Sequence, residues 1–265
     1  MQEKKVVNLF WTGGWDSTFR LLTLITNEQV LINLYYVIDK KRKSLNNELQ
    51  TMDEILSIIH RRIAGSKDRV LSITHFDSDQ IIDDEDISSK YKQLKSIAPL
   101  GTQYPVLAKF ALMHGLNDVE LSIAMTDTWT SRHLRDACIR VDDPIIGEYR
   151  VLKPDTDSDA PISLFRYFTF PTLHISKEDM MRVSRENDML DILDKSWFCH
   201  TPYNGKPCGV CSPCLLAVDE GMNFRLPLIA RIRSKAPRLS KVIMKLINAG
   251  FLGSIKLATN KMVRE

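Results

Sequence analysis

A glycine-containing stretch near the start of the chain carries the groups that phosphate binding needs. It reads Thr12-Gly13-Gly14-Trp15-Asp16-Ser17-Thr18, between an apolar run and a segment with helical spacing. Backbone N–H groups at a helix start are unpaired and carry partial positive charge, so they attract phosphate oxygens. Glycines allow close backbone approach, the hydroxyl groups add donors, and Asp16 suits a site in which Mg²⁺ accompanies the phosphates. The stretch therefore predicts nucleotide binding, and a capped Gly-Gly turn without a ligand is the alternative.

A second group of residues predicts a metal site. Four cysteines lie within sixteen residues of sequence, at Cys199, Cys208, Cys211 and Cys214. Four thiolates suit tetrahedral Zn²⁺ and leave no open position for water, which indicates a structural ion. An iron–sulfur cluster and redox thiols are the alternatives. Cys138 is expected to be an unligated thiol, and His200 a surface or hydrogen-bonded side chain.

Alternating strands and helices must position both groups. Apolar runs predict strands at 6–10, 30–38, 69–74 and 119–125, and periodic segments predict helices at 19–25, 47–62, 105–115 and 176–187. This alternation predicts an α/β fold with a doubly wound parallel sheet, in which ligands bind beyond the carboxyl ends of the strands. The Thr12 loop and Asp127 both follow predicted strands. Residues 77–86 are expected to form an acid-rich loop, and residues 128–160 an irregular, mobile insertion.

Composition excludes several classes of protein. The chain has 265 residues, 44% of them hydrophobic and 26% charged, as in ordinary globular proteins. No apolar run reaches the roughly 18 residues that a membrane span needs. The first residues lead straight into a strand, so no signal peptide is expected. The cysteine usage differs from that of a secreted disulfide scaffold and predicts a cytoplasmic location.

Charge is distributed unevenly along the chain. Residues 222–265 hold ten of the 36 basic residues and one of the 33 acidic residues, so the remainder is net acidic. We therefore expect three parts: a nucleotide-binding α/β domain at 1–195, a four-cysteine zinc-binding segment at 196–221 and a basic helical extension at 222–265. The extension is expected to bind a partner. Membrane-surface attachment and nucleic acid are alternatives, and an acidic protein or a second subunit is favoured.

The glycine stretch resembles the S-G-G-x-D-S loop of the PP-loop ATP pyrophosphatases, which belong to the adenine nucleotide alpha hydrolase-like fold. Thr12 stands in the position of the first Ser. Three later segments add to this resemblance: Pro171-Thr172-Leu173, Ser176-Lys177-Glu178-Asp179 and Cys208-Gly209-Val210-Cys211. With them, the chain is similar to the 7-cyano-7-deazaguanine synthases (QueC-like). The resemblance covers roughly residues 6–222.

The resemblance implies an ATP-dependent carbon–nitrogen ligase. Family members use ATP and Mg²⁺ to adenylate 7-carboxy-7-deazaguanine, release pyrophosphate, and pass the acyl group to ammonia to give an amide and then a nitrile, as in queuosine biosynthesis. They carry structural Zn²⁺ and tend to form homodimers. Nucleotide binding is expected at residues 12–18, zinc binding at the four clustered cysteines, and catalysis at Asp16, Ser17 and, from its place at a predicted strand end, Asp127.

This chain departs from the family pattern in the acceptor half. The family's basic, Asn-containing motif appears as Leu100-Gly101-Thr102-Gln103-Tyr104-Pro105, its Gly-rich strand end as Ile123–Asp127, and its Arg after the last Cys as Ala217. Two alternatives therefore stay open. One is a conjugating enzyme that attaches the deazapurine acyl group to an amine of a protein, as in an antiviral defence or modification system. The other is a nucleotide- or tRNA-binding module without turnover.

Overall fold

The structure is a computed structural model that describes residues 4–248, with side chains described as far as residue 245. The chain divides into two compact units, Met1–Trp197 and Phe198–Glu265. Of the basic extension, residues 249–265 lie outside the described part.

The first unit is built on a five-stranded parallel sheet and a separate antiparallel hairpin. The sheet has the order β3-β2-β1-β4-β7, and the hairpin pairs β5 with β6. The strands are β1 (Lys5–Phe10), β2 (Val30–Ile38), β3 (Val70–Asp77), β4 (Val119–Glu120), β5 (Cys138–Asp143), β6 (Gly147–Leu152) and β7 (Phe168–Thr169). This confirms the predicted α/β class with a parallel sheet.

Eleven α-helices and three short 3-10 helices lie in the part of the chain that the structure describes. The first unit contains α1 (Trp15–Ile25), α2 (Leu45–Arg62), α3 (Ser66–Arg69), α4 (Glu85–Ile97), α5 (Gln103–Met113), α6 (Trp129–Ala137), α7 (Lys177–Glu186) and α8 (Leu190–Leu193). The second unit contains α9 (Ser212–Asp219), α10 (Leu228–Lys235) and α11 (Pro237–Asn248). Among the described residues, none of the helices combines the length and the apolar character needed to cross a membrane.

The strand order places the glycine loop at a switch point. From β1 the chain proceeds to β2 and β3 on one side, whereas β4 and β7 lie on the other side. In open α/β sheets, the crevice at such a reversal is where ligands bind. Leu9 of β1 pairs with Glu120 of β4, so the loop after β1 lies beside the segment after β4.

Three sequence predictions need correction. The predicted strand at 119–125 ends at Glu120, because two of the later N–H groups bond outside a ladder. That of Ala124 donates to Asp16, and that of Met125 donates to the Ile175 carbonyl. Residues 77–86 are not one loop, since Asp84 caps helix α4 by accepting from the N–H of Ile87. Residues 128–160 are not irregular, because they form α6, β5 and β6.

The β5–β6 hairpin is fastened to the sheet at its turn. Lys5 forms a salt bridge with Asp143, and Asn27 Nδ2 donates to the Ile145 carbonyl at 2.8 Å. Arg20 Nη1 donates to the Ile146 carbonyl at 3.0 Å. These bonds satisfy the polar groups of the turn and explain why this polar segment is ordered.

A buried ion pair links α1 to β4 beside the switch point. Arg20 Nε and Nη2 donate to the two carboxylate oxygens of Glu120 at 2.7 and 2.5 Å. The two side chains are only 8% and 2% exposed, so neither charge is solvated. Such a pair holds its place because each charge satisfies the other.

Glu120→Gln should destabilise the protein, because it leaves the Arg20 guanidinium buried without a counter-charge. Breaking a buried pair in this way costs about 3–5 kcal/mol. Chemical denaturation measures the change in the free energy of unfolding, with Glu178→Gln as the control at an exposed carboxylate. Equal stability of the two variants would show that the pair contributes nothing.

Candidate functional site

The glycine loop has a backbone conformation that favours glycine at one position. Gly13 has φ of 66°, and a Cβ there would lie 2.9 Å from the Met52 side chain. Gly14 is the N-terminal cap of α1 and has no side chain that could accept from the first N–H groups of the helix. The N–H of Trp197 donates to the Gly13 carbonyl at 2.8 Å and fixes the outer side of the loop. The start of α1 therefore lies beside a loop that one backbone hydrogen bond fixes.

Two hydroxyl groups contact each other across the loop. Ser17 Oγ lies 3.4 Å from Thr12 Oγ1 and accepts from the Thr12 N–H at 3.3 Å. Thr12 Oγ1 in turn accepts from the Gly14 N–H at 3.4 Å. These long contacts are weak, so a phosphate oxygen can compete for the same donors. Thr12 is exposed and Ser17 is buried.

Two other residues of the predicted site turn inward. Thr18 is fully buried, and its hydroxyl accepts from the Trp11 indole N–H at 3.1 Å. The Trp15 side chain is only 4% exposed. The side chains of Thr18 and Trp15 therefore hold α1 against the core, and these residues can serve a ligand at the loop only through their backbone.

Asp16 joins three segments that are distant in sequence. Its Oδ2 accepts from the N–H of Ala124 at 3.1 Å, in the segment after β4. Its Oδ1 forms a salt bridge with Lys177, the first residue of α7. Both side chains are about one-fifth exposed, at 22% for Asp16 and 18% for Lys177. A carboxylate and an ammonium group thus stand together at the mouth of the loop.

Asp127 lies in the segment after β4, which hydrogen bonds with Ser131 hold. Ser131 Oγ donates to the Ala124 carbonyl at 2.9 Å and accepts from the Thr126 N–H at 3.0 Å. Asp127 itself is exposed. Among the described residues, its carboxylate forms no hydrogen bond or salt bridge. Asp127 is therefore not bonded to the glycine loop, whereas the Ala124 N–H donates to Asp16.

Tyr104 adds a buried phenol near the same carboxylate. Burial raises its pKa to about 12, and the charge of Asp16 acts in the same direction. Hydrogen bonds with Thr130 and Gln103 oppose this shift. Tyr104 therefore stays protonated at neutral pH. It lies in the segment 100–105, which differs from the motif of the family that the sequence resembles.

Sequence reasoning did not single out Lys177 or Tyr104 as site residues. A signal for Lys177 exists, because a cation in the first turn of a helix opposes the helix dipole. Ser176 caps the same helix by accepting from the Asp179 N–H. A lysine placed there needs a nearby anion, and Asp16 is that anion. No comparable signal marks Tyr104.

The four clustered cysteines of the second unit converge on one point. Their Sγ atoms all lie within 4.8 Å of one another, and none of them forms a disulfide. Cys199 and Cys211 are 3.8 Å apart, and Cys208 and Cys214 are 3.9 Å apart, measured between sulfurs. Four sulfurs about 2.3 Å from a tetrahedral centre would be separated by roughly 3.8 Å. The group could therefore hold a metal ion such as zinc.

The backbone around the cysteines supports thiolate charge. Cys208 Sγ accepts from the N–H groups of Val210 and Cys211, each at 3.4 Å, and Cys199 Sγ accepts from the N–H of Cys208 at 3.2 Å. Hydrogen bonds from the other thiols, with Cys199 the largest contributor, lower the pKa of Cys208. Such outer bonds orient metal ligands and stabilise their charge.

Helix α10 lies directly on the turn between two of these cysteines. Gly209 has φ of 81°, and a Cβ there would lie 2.1 Å from the Ala230 carbonyl oxygen. Ala230 is 1% exposed, as is Leu226 before the helix. The cysteine turn is therefore part of the surface against which α10 packs.

Two further residues of the metal prediction lie away from this group. Cys138 is buried at the start of β5 in the first unit, and burial raises its pKa to about 12. His200 is exposed and is not part of the group that could hold an ion. The described geometry thus limits the candidate ligands to four sulfurs.

Comparison with known proteins adds no family to these observations. Neither the protein-family models nor the curated proteins include a match to this chain.

Proposed function

We propose that this chain is a QueC-like ATP-dependent ligase that activates a carboxylate as its adenylate. The substrate is 7-carboxy-7-deazaguanine or a similar deazapurine acid, and the acyl group passes to ammonia to give an amide or nitrile. The observation that carries the proposal is the position of Asp16, held between the Ala124 N–H and the Lys177 ammonium group at the switch point of the sheet.

The chemistry of these groups suits MgATP. Asp16 has lone pairs beyond its one backbone hydrogen bond, so the carboxylate can bind Mg²⁺, which would offset negative charge on the phosphates. The ammonium group of Lys177 pairs with the Asp16 carboxylate. When Mg²⁺ binds that carboxylate, the ammonium group would pair with a phosphate oxygen instead. Thr12, Ser17 and the start of α1 supply donors for the same phosphates. We also propose a catalytic role for Asp127, whose carboxylate is exposed.

The proposed reaction reaches the amide in two balanced steps, and a nitrile would need a second ATP, whose AMP would leave with the amide oxygen while the nitrogen loses its two protons. In the first, a carboxylate oxygen of the substrate attacks the α-phosphorus of ATP, and the bond between the α and β phosphates breaks to release pyrophosphate. In the second, an amine nitrogen attacks the acyl carbon, loses a proton, and displaces AMP. Fixed positive groups that face the departing charge lower the barrier of the first step. In this proposal, Lys177 and the donors of the Thr12 loop would supply those positive groups.

The remaining parts of the proposal concern the metal and the setting. We propose Zn²⁺ as a structural ion at the four sulfurs, because a fully ligated ion has no position for a reacting water. Thiols that stay reduced fit a cytoplasmic location. A homodimer is proposed from the resemblance alone.

The reaction is tested by incubating the protein with ATP, Mg²⁺, 7-carboxy-7-deazaguanine and ammonia. We expect AMP and pyrophosphate to form only when the carboxylate is present, and mass spectrometry to find the amide or nitrile. A product that forms only when a protein amine is offered would identify the conjugating alternative. Bound ATP that is never cleaved would identify the binding module without turnover and would contradict the proposal.

A further inference from the structure

Two helices of the second unit each expose apolar side chains, which together are called the apolar stripe. The stripe consists of Leu228, Ile229 and Ile232 on α10 and Leu239, Val242 and Ile243 on α11. Their exposed fractions range from 42% for Ile243 to 73% for Leu228. The spacing of three and four residues on each helix defines one face of a helix, which in a soluble protein normally packs inward.

This exposed stripe is separate from the side through which α10 packs. Ala230 and Leu226 are each 1% exposed, and the Ala230 carbonyl lies over Gly209 of the cysteine turn. Arg233 lies over the Tyr203 ring, 4.6 Å from its centroid. The inner face of α10 is therefore already occupied, and the apolar stripe is an additional surface.

Basic side chains border the stripe. Residues 222–248 contain seven Arg and Lys residues and no acidic residue. On α11, the exposed cations Arg238, Lys241 and Lys245 recur three and four residues apart, beside the apolar residues. Lys235 of α10 is exposed too, and none of these four forms a salt bridge with an acid in the described part of the chain. Their charge is available to an external anion.

The combination of groups discriminates among anionic partners. Nucleic acid would meet the cations but leave the aliphatic side chains in water, and residues 228–248 contain no aromatic residue for stacking on bases. Protein interfaces are enriched in aromatic residues and depleted in Lys. An anionic bilayer offers negative headgroups directly above hydrocarbon, which matches aliphatic residues bordered by Lys and Arg.

We propose that α10 and α11 form a surface that binds anionic lipid bilayers, with the apolar stripe inserted at the headgroup boundary and the bordering cations on the phosphates. Charge alone favours an acidic protein as the partner. The exposure of six aliphatic side chains favours the bilayer instead. The proposal does not depend on the ligase reaction.

The test is co-sedimentation of the full chain with vesicles of phosphatidylcholine alone or with one part in three of phosphatidylglycerol. We expect binding to the anionic vesicles and much weaker binding to the neutral ones. Lys241→Gln with Lys245→Gln should weaken binding by a factor of about ten or more, since each cation near an anionic surface contributes about 1 kcal/mol. Leu228→Ser with Ile232→Ser and Val242→Ser should weaken it as well, because the apolar contact is lost.

The control variant carries Lys92→Gln and Lys95→Gln, two exposed cations of α4, and should bind vesicles as the unmodified chain does. Thermal melting shows that each variant is folded. Equal binding to neutral and anionic vesicles would overturn the proposal. Unchanged binding by the variant with three serine substitutions would also overturn it. A dimer that this variant converts to a monomer would overturn it too, because the face would then pair two copies of the chain.

Discussion

Asp16→Asn should lower carboxylate-dependent pyrophosphate release by a factor of about 100 or more, which is the range for loss of one fixed electrostatic contact to a reacting group. An asparagine oxygen can still accept from the Ala124 N–H, so the loop should keep its shape. What is lost is the charge that would bind Mg²⁺ and that pairs with Lys177. Quenched-flow or coupled assays of pyrophosphate measure the rate.

Glu178→Gln is the matched control for this variant, because it removes the same charge from the exposed residue next to Lys177. We expect it to turn over normally. Circular dichroism and thermal melting establish that both proteins are folded. If Asp16→Asn releases pyrophosphate as fast as the control, the loop is not the site of ATP cleavage.

Cys211→Ser should lose bound metal and thermal stability together. Cys211 is only partly buried, so the exchange of sulfur for oxygen causes little steric change. Binding free energy at a structural zinc site is folding free energy, roughly 10–16 kcal/mol in zinc-finger peptides. Loss of even part of it should unfold the cysteine turn on which α10 packs. Metal analysis of the purified protein and differential scanning calorimetry measure the two effects.

The matched control is Cys138→Ser, which alters a buried thiol of the first unit that has no place in the cluster. It should keep one metal ion for each chain, even if a buried hydroxyl lowers its melting temperature. A Cys211→Ser protein that retains the metal, or a metal-free protein that melts at the wild-type temperature, would contradict a structural role for the ion.

The parts of the site that are local in sequence were predictable. The strand, glycine loop and helix from β1 to α1 follow from apolar periodicity, and the sulfurs converge because turns of few residues connect them. Contacts between distant residues were not predictable from these patterns. Lys177 lies 161 residues from Asp16, and Glu120 lies 100 residues from Arg20.

The misassigned segments have physical explanations. Helix α4 carries Ile87, Tyr91 and Leu94 at helical spacing, but the acidic residues before it suggested a loop. The strands β5 and β6 lack a clear apolar alternation because few of their residues are buried. Their hairpin is held by tertiary bonds at its turn, such as that from Asn27 to the Ile145 carbonyl. Bonds of this kind leave no periodic signal in the sequence.

Isotope exchange between ATP and labelled pyrophosphate tests the central claim most directly, because exchange requires reversible cleavage between the α and β phosphates. The account predicts that the unmodified chain incorporates label into ATP when Mg²⁺ and the deazapurine carboxylate are both present, and that Asp16→Asn does not. Release of ADP and phosphate from ATP, or ATP binding without exchange under these conditions, would contradict it.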